Sequence, residues 1–404
     1  MGPGGRPRGA LRGGQALSKL SPIWIVGLVF VAFRLSVLAF WPADQLAQWS
    51  DYDYYYELAS WADQGHLPYI DYWVEYPPLF PYLSLLIYSV TPHYAAYAAA
   101  LGLVQLVFEV GSLILLARLA QRVVGQERTE RLLWTYALLF APVATWWLSF
   151  DAITTFFLLL AVERWLAGKR VWSALVLGVG GLVKWFPLLF LPVAVRFRRN
   201  WRDAFVYAGV SVLIVAVVLG SLAALSPTYT KASLGSLAGR ASWQTVWALI
   251  DGNTSTGAYQ ANRFDPDAAA LLQGNPARVP TWLTTLAFGA LYLWLWLRAS
   301  DEATPARVIR YTTLTVVLFF LWSRGWSPQW LGMLAPLLLL SLPLERAVLY
   351  LLVLTFINIA EWPVLLSRGM NQWLYLTVPL RTLVLVVLAV TCARRVLGRP
   401  GGRL

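Results

Sequence analysis

Residues 23–41 read IWIVGLVFVAFRLSVLAFW, nineteen positions among which Arg34 is the one charge. A helix of that length rises about 28 Å, which matches the roughly 30 Å thickness of bilayer hydrocarbon. Arg6, Arg8, Arg12 and Lys19 precede it, as in a secretory signal. The stretch is too long for one and lacks a small-residue cleavage site, so it reads as a retained first membrane helix. Working outward, Leu132 to Ser149 and Ala347 to Leu366 repeat the pattern. Of the 404 residues, 58% are hydrophobic and 13% charged, whereas soluble domains carry about a quarter charged residues. The bilayer is therefore the solvent, and the expected fold is an all-α polytopic transmembrane helical bundle, a single integral membrane domain over residues 1–404.

The net charge of +12 does not point to nucleic acid, because the basic residues alternate with spans and form no continuous stripe. The single cysteine, Cys392, excludes an intramolecular disulfide and a cysteine-clustered metal site. Lys and Arg gather in short cytoplasmic loops and so orient the chain. With the N-terminus inside, helices at about 22–41, 95–119, 132–149, 151–167, a hairpin across 172–195, then 203–225, 281–298, 310–323, 329–343, 347–366 and 373–393 give about twelve spans. Residues 42–94 then form a first extracytoplasmic loop with no Lys or Arg and seven acids, Asp44, Asp51, Asp53, Glu57, Asp63, Asp71 and Glu75. Residues 77–90 are apolar but short and interrupted by prolines, which suits an interfacial or re-entrant helix. Residues 226–280 form a second long extracytoplasmic loop.

Neither long loop has the length for a nucleotide-binding α/β domain, so chemistry must sit at the membrane interface with a lipid-linked donor. Ser50 is placed to cap a helix that begins in the first loop. Helical spacing puts Asp51, Tyr54, Tyr55, Leu58, Ala59 and Ala62 on one face and Asp53, Glu57, Ser60 and Gln64 on the other. Asp51 then faces the bundle and Asp53 the water. Two readings fit Asp51 equally: a catalytic carboxylate, or a first-turn acid favoured by the helix dipole with Asp53 in a capping box.

The run Ser50 to Ala59, then Gly65-His66-Leu67-Pro68-Tyr69-Ile70-Asp71-Tyr72-Trp73-Val74-Glu75-Tyr76-Pro77-Pro78-Leu79, resembles the first outer loop of GT-C glycosyltransferases, in particular family 87 polyprenol-phosphate-mannose-dependent mannosyltransferases. Further matches are Phe150-Asp151-Ala152, Gly181-Leu182-Val183-Lys184-Trp185-Phe186-Pro187 and Ser327-Pro328-Gln329-Trp330. They occur in order from residue 34 to about 340. The resemblance implies a bacterial, multi-pass plasma (inner) membrane enzyme with an extracytoplasmic active site. It would transfer a hexose, mannose first among the candidates, from a polyprenyl-phosphate sugar to a lipid or glycan acceptor with inversion. Asp51 would take the proton of the acceptor hydroxyl, and a positive group would face the departing phosphate.

For that positive group the ionisable residues in or beside the spans are candidates: Arg324, then Lys184, with Arg34 and Gln329. The bland alternatives are that Arg34 snorkels, that Lys184 pairs with Glu109 or Glu361, and that Arg324 is a loop charge. Asp151 is a possible second acid or a helix cap. Two acids suffice to hold Mg²⁺ or Mn²⁺, yet a monophosphate leaving group does not demand a metal, so no cofactor is expected. Tyr55, Glu75, Tyr76 and Trp243 are expected to line the substrate loops, with Trp247, Asp251, Asn253, Tyr259 and Asn262 suited to covering an acceptor. A transporter or flippase of lipid-linked sugars is the rival class, but the matching halves such proteins often show are not evident.

Overall fold

A computed structural model describes residues 22–42, 45, 49–139, 147, 149–257, 261–300 and 302–398. The basic N-terminal segment, Asp44 and Tyr259 lie outside these residues, as do 140–146 and 148 within the span expected at 132–149. The described chain is helical, and its only β pairings are two isolated bridges, Pro68 with Tyr72 and Trp243 with Gly325.

Helix α1 (Pro22–Phe40) buries Val26, Phe30 and Arg34, four residues apart along one stripe, and turns Trp24, Leu28, Phe33 and Phe40 outward. This inside-out exposure of large apolar side chains is what lipid, not water, accommodates. The first long loop carries α2 (Tyr52–Ser60) and α3 (Leu79–Val90). α3 rises about 18 Å, too little to cross a bilayer, and its Ser84 bonds back to the Tyr55 carbonyl at 3.3 Å.

Then follow α4 (Tyr94–Val123), α5 (Gln126–Leu138), α6 (Asp151–Leu166), α7 (Arg170–Val183), α8 (Leu191–Arg196) and α9 (Trp201–Leu225). α7 ends because Lys184 is extended (φ −158°, ψ 147°), and a 3₁₀ turn over Phe186–Phe190 leads back into α8. That is the expected hairpin, but with arms of 14 and 6 helical residues joined by the 3₁₀ turn, shorter than an independent crossing takes. The second long loop holds α10 (Pro227–Gly239) and α11 (Val246–Asp251); α12 (Thr281–Arg298), α13 (Pro305–Trp322), α14 (Trp330–Ser341), α15 (Leu344–Ile359) and α16 (Leu374–Leu397) complete the bundle.

Among the described residues, five stretches are long and apolar enough to cross a membrane on their own: Ile23–Phe40, Tyr94–Val123, Trp201–Leu225, Leu344–Arg368 and Asn371–Leu397. The protein is thus a multi-pass membrane protein. Two buried ion pairs sit between helices, Arg34 with Glu109 at 2.9 Å and Arg381 with Glu361. Each satisfies a charge that would otherwise be prohibitive in hydrocarbon.

The two long loops pack on each other at one end of the bundle. Trp73, fully buried, donates its indole N–H to the carbonyls of Asn262 (3.1 Å) and Asp265 (2.9 Å). Val74 N–H donates to Ser233 Oγ at 3.1 Å, and Arg263 pairs with Glu75 at 3.0 Å.

Candidate active site

Asp51 stands at the N-cap position of α2, one residue beyond the expected cap, while Ser50 Oγ accepts from Tyr52 N–H at 3.3 Å. The pattern of the helix explains its direction. Tyr52, Tyr55, Leu58 and Ala59 are buried, whereas Asp53 and Glu57 are exposed. Tyr52 O–H is held by Gln105 Nε2 at 2.6 Å, which fixes the helix start on α4. Tyr55 O–H donates to Asp51 Oδ2 at 3.2 Å.

Around this carboxylate the walls are aromatic. The Tyr55 ring meets Phe80 (4.7 Å between centroids), Phe150 (5.7 Å) and Tyr76 (5.8 Å), and Phe80 stacks on Phe150 at 3.6 Å. Behind Phe150 lies Asp151, buried at the first turn of α6. Lys184 Nζ donates to both of its oxygens at 2.9 Å, and Ser149 donates to Oδ2. The ammonium also lies 5.0 Å from the Phe150 centroid and 5.1 Å from that of Phe186. The extended backbone at Lys184 therefore serves to deliver a cation to the Asp151 end of the bundle. Lys184 pairs with neither Glu109 nor Glu361, because those acids are taken by Arg34 and Arg381.

Asp51 is part-exposed, yet protein surrounds it closely enough that burial pushes its carboxyl up to about 6. The Tyr55 hydroxyl, Lys184 and Arg240 pull it down, and Asp151 pushes it up. The result is a partly desolvated acid more basic than a surface carboxylate, which is the tuning a general base near neutral pH requires. Tyr55 and Tyr76 are themselves raised well above the usual phenol range, first by burial, so both act as neutral hydroxyls.

Of the residues expected to form the site, Asp51, Tyr55, Tyr76, Asp151 and Lys184 come together. The others are placed elsewhere. Arg34 is spent on Glu109 inside the bundle and does not snorkel. Arg324 pairs with Asp251 at 3.0 Å and donates to the Val279 carbonyl, which ties the second loop down. Gln329 is the part-exposed N-cap residue of α14. Glu75 is buried between Arg263 and the Tyr54 hydroxyl, 2.8 Å away, so it clasps the loops and is not open to a sugar. Trp243 is likewise no bare platform, since Arg240 lies 4.2 Å over its ring and the backbones of Gly257 and Gly325 press on it. Arg240 is the residue sequence reasoning missed, because nothing in its local sequence sets it apart from any other loop arginine.

Asp51 and Asp151 are the acids that approach each other. Both Asp151 oxygens hold Lys184, and among the described residues no group of three or more potential His, Cys, Asp or Glu ligands forms.

The fold and site are those of a multi-helix membrane bundle with a partly desolvated carboxylate and a lysine beside it, near where the first long loop packs on the second. The chain belongs to glycosyltransferase family 87, whose sequence profile matches residues 73–323. No curated protein sequence matches it significantly. Among solved structures it is similar to the Archaeoglobus fulgidus oligosaccharyltransferase in its apo form, at 12% identity and a TM-score of 0.44, over 96% of this chain and 57% of that one. It is also similar to ArnT from Cupriavidus metallidurans bound to undecaprenyl phosphate, at 15% identity and a TM-score of 0.44, over 93% and 78% of the two chains. The chain thus spans little more than half the length of the oligosaccharyltransferase.

Proposed function

We propose that this protein transfers a hexose, mannose in the first instance, from a polyprenyl-phosphate sugar to a hydroxyl of a lipid or glycan acceptor on the extracytoplasmic face. The acceptor oxygen attacks the anomeric carbon from the side opposite the phosphate and gives its proton to Asp51. The bond from the anomeric carbon to the phosphate oxygen breaks, and polyprenyl phosphate leaves with inversion at the sugar. The observation that carries this reading is the Asp51 carboxylate, raised to about 6 and hydrogen-bonded by Tyr55. Its neighbour Lys184 is the cation within reach of a departing phosphate, whose charge a positioned ammonium stabilises.

In the same reading the chain crosses the membrane about twelve times, with its basic N-terminus inside. In that count the hairpin across 172–195 goes out and returns, its polar contacts lying at its two ends. Lys184 meets Asp151 at one end. At the other end Arg170 pairs with Asp203 (3.4 Å), and Arg196 donates to the carbonyls of Trp296 (2.6 Å) and Ala299 where α12 finishes.

Purified protein in detergent is expected to transfer mannose from polyprenyl-phosphate mannose with no nucleotide present and with EDTA added. Strict dependence on a nucleotide sugar would overturn the reading, and loss of transfer in EDTA alone would restore a metal between Asp51 and Asp151.

A further inference from the structure

An aspartate at the start of a helix ordinarily turns its carboxylate onto the first free amides and caps them. Asp51 stands at that position on α2, yet its side chain accepts from none of them. Its backbone, at φ −90° and ψ 14°, lies off the extended conformation from which a capping side chain reaches forward. Two neighbours take amides of the first turn in its place. Ser50 Oγ accepts from Tyr52 N–H at 3.3 Å, and Asp53 Oδ1 accepts from Tyr54 N–H at 2.8 Å. Asp51 Oδ2 accepts instead from Tyr55 O–H at 3.2 Å, and among the described residues Oδ1 accepts no hydrogen bond.

Tyr55 lies one turn further along α2, and long side chains on a helix lean back over the preceding turn, so the helix itself carries the hydroxyl to Asp51. The ring is buried and wedged from two sides, against Phe80 of α3 (4.7 Å between centroids) and Phe150 just ahead of α6 (5.7 Å). The Tyr55 carbonyl accepts from Ser84 Oγ at 3.3 Å, which ties the same residue to α3 through its main chain. A ring so enclosed has no face to offer a sugar. We propose that Tyr55 is a positioning residue for the transfer: its hydroxyl holds Asp51 Oδ2 away from the helix cap and leaves Oδ1 to take the acceptor's proton. Ser50 and Asp53, by serving the first turn of α2, release Asp51 from the structural task its position would otherwise give it. The proposal rests on the proposed role of Asp51 as base, and it moves Tyr55 from the expected substrate contacts to the support of the carboxylate.

The test is Tyr55→Phe, which keeps the wedged ring and removes the hydroxyl alone. In transfer from polyprenyl-phosphate mannose, kcat is expected to fall about tenfold, the scale of one lost hydrogen bond to a charged group, with KM for the donor unchanged. A second reading needs no substrate: the pH at which Asp51 is half-protonated, followed as carbodiimide labelling of its peptide by mass spectrometry. That midpoint is expected to rise by about half a unit to one unit, because the lost bond favoured the ionised carboxylate. The other titratable groups acting on Asp51 are Tyr76 ahead of α3, Asp151 of α6, Lys184 after α7 and Arg240 after α10, and the substitution leaves all four in place. A packing role for Tyr55 predicts no change in kcat or midpoint, and a substrate contact predicts a raised KM at wild-type kcat. Either result in folded Tyr55→Phe would refute the proposal. If the labelling midpoint rises but wild type transfers nothing from a polyprenyl-phosphate sugar, the function fails and the hold of Tyr55 on Asp51 stands.

Discussion

Replacing Asp51 by Asn separates catalysis from stability in opposite directions. The amide oxygen can still accept from Tyr55 O–H, so the 3.2 Å contact and the N-terminal turn of α2 are retained. What disappears is the basicity, and loss of a general base costs on the order of 10²–10⁴ in rate, equivalent to about 3–5 kcal/mol of barrier. Stability moves the other way. The folded protein raises the carboxyl from an ordinary 3.8 to about 6, so between those pH values it binds more protons than the unfolded chain. Stability of the wild type therefore falls as pH rises through that window and stays lower above pH 6, by at most about 3 kcal/mol at 1.36 kcal/mol per pH unit. The Asn variant carries no such penalty. Thermal unfolding in detergent should show the variant equal to wild type near pH 4 and more stable at pH 7.5, while its transfer from polyprenyl-phosphate mannose is abolished. Asp53→Asn, at an exposed first-turn position, should keep most activity and lose less than about 1 kcal/mol. Near-wild-type turnover in Asp51→Asn, loss of turnover in well-folded Asp53→Asn, or a stability difference independent of pH would refute the assignment.

Three further outcomes follow from the same geometry. A cysteine placed at part-exposed His66 in a Cys392→Ser background should react with an impermeant maleimide in intact cells; labelling only after permeabilisation reverses the orientation. Lys184→Met strands Asp151 in a buried site, which typically costs about 3–5 kcal/mol, so its yield of folded protein should collapse and partly recover in Lys184→Met/Asp151→Leu, whose activity stays absent. Glu75→Gln removes the partner of buried Arg263 at a comparable cost and should speed proteolysis within residues 226–280, whereas an unchanged cleavage rate would show that this pair does not hold the loops together.

The membrane class, the two long loops and the inward direction of Asp51 were legible because each depends on short-range periodicity: span length, charge between spans, and the 3.6-residue repeat that separates Asp51 from Asp53. The hairpin across 172–195 was legible from the same charge rule. Pairings were not. Lys184 finds Asp151, 33 residues away, and Arg34 finds Glu109, 75 residues away, through helix packing that no local pattern encodes. The role of Trp243 was hidden for a different reason, since its ring is covered by glycine backbone, which has no side chain to advertise contact. The Trp73 clasp was invisible too, because its acceptors are main-chain carbonyls of Asn262 and Asp265 that any residue would supply.

That clasp imposes an order on biosynthesis. The acceptors of the Trp73 indole lie 189 and 192 residues further along the chain, and at the usual 5–20 residues per second they leave the ribosome roughly 10–40 s after it. During that interval the loop bearing Asp51 is already made, while the surface destined to bury Trp73, and the arginine destined to neutralise Glu75, do not yet exist. Until the segment around residue 263 arrives, the Trp73 indole and the Glu75 carboxylate of the nascent first loop bond to water or to near neighbours such as Tyr54, and not yet to the partners that close the two loops together.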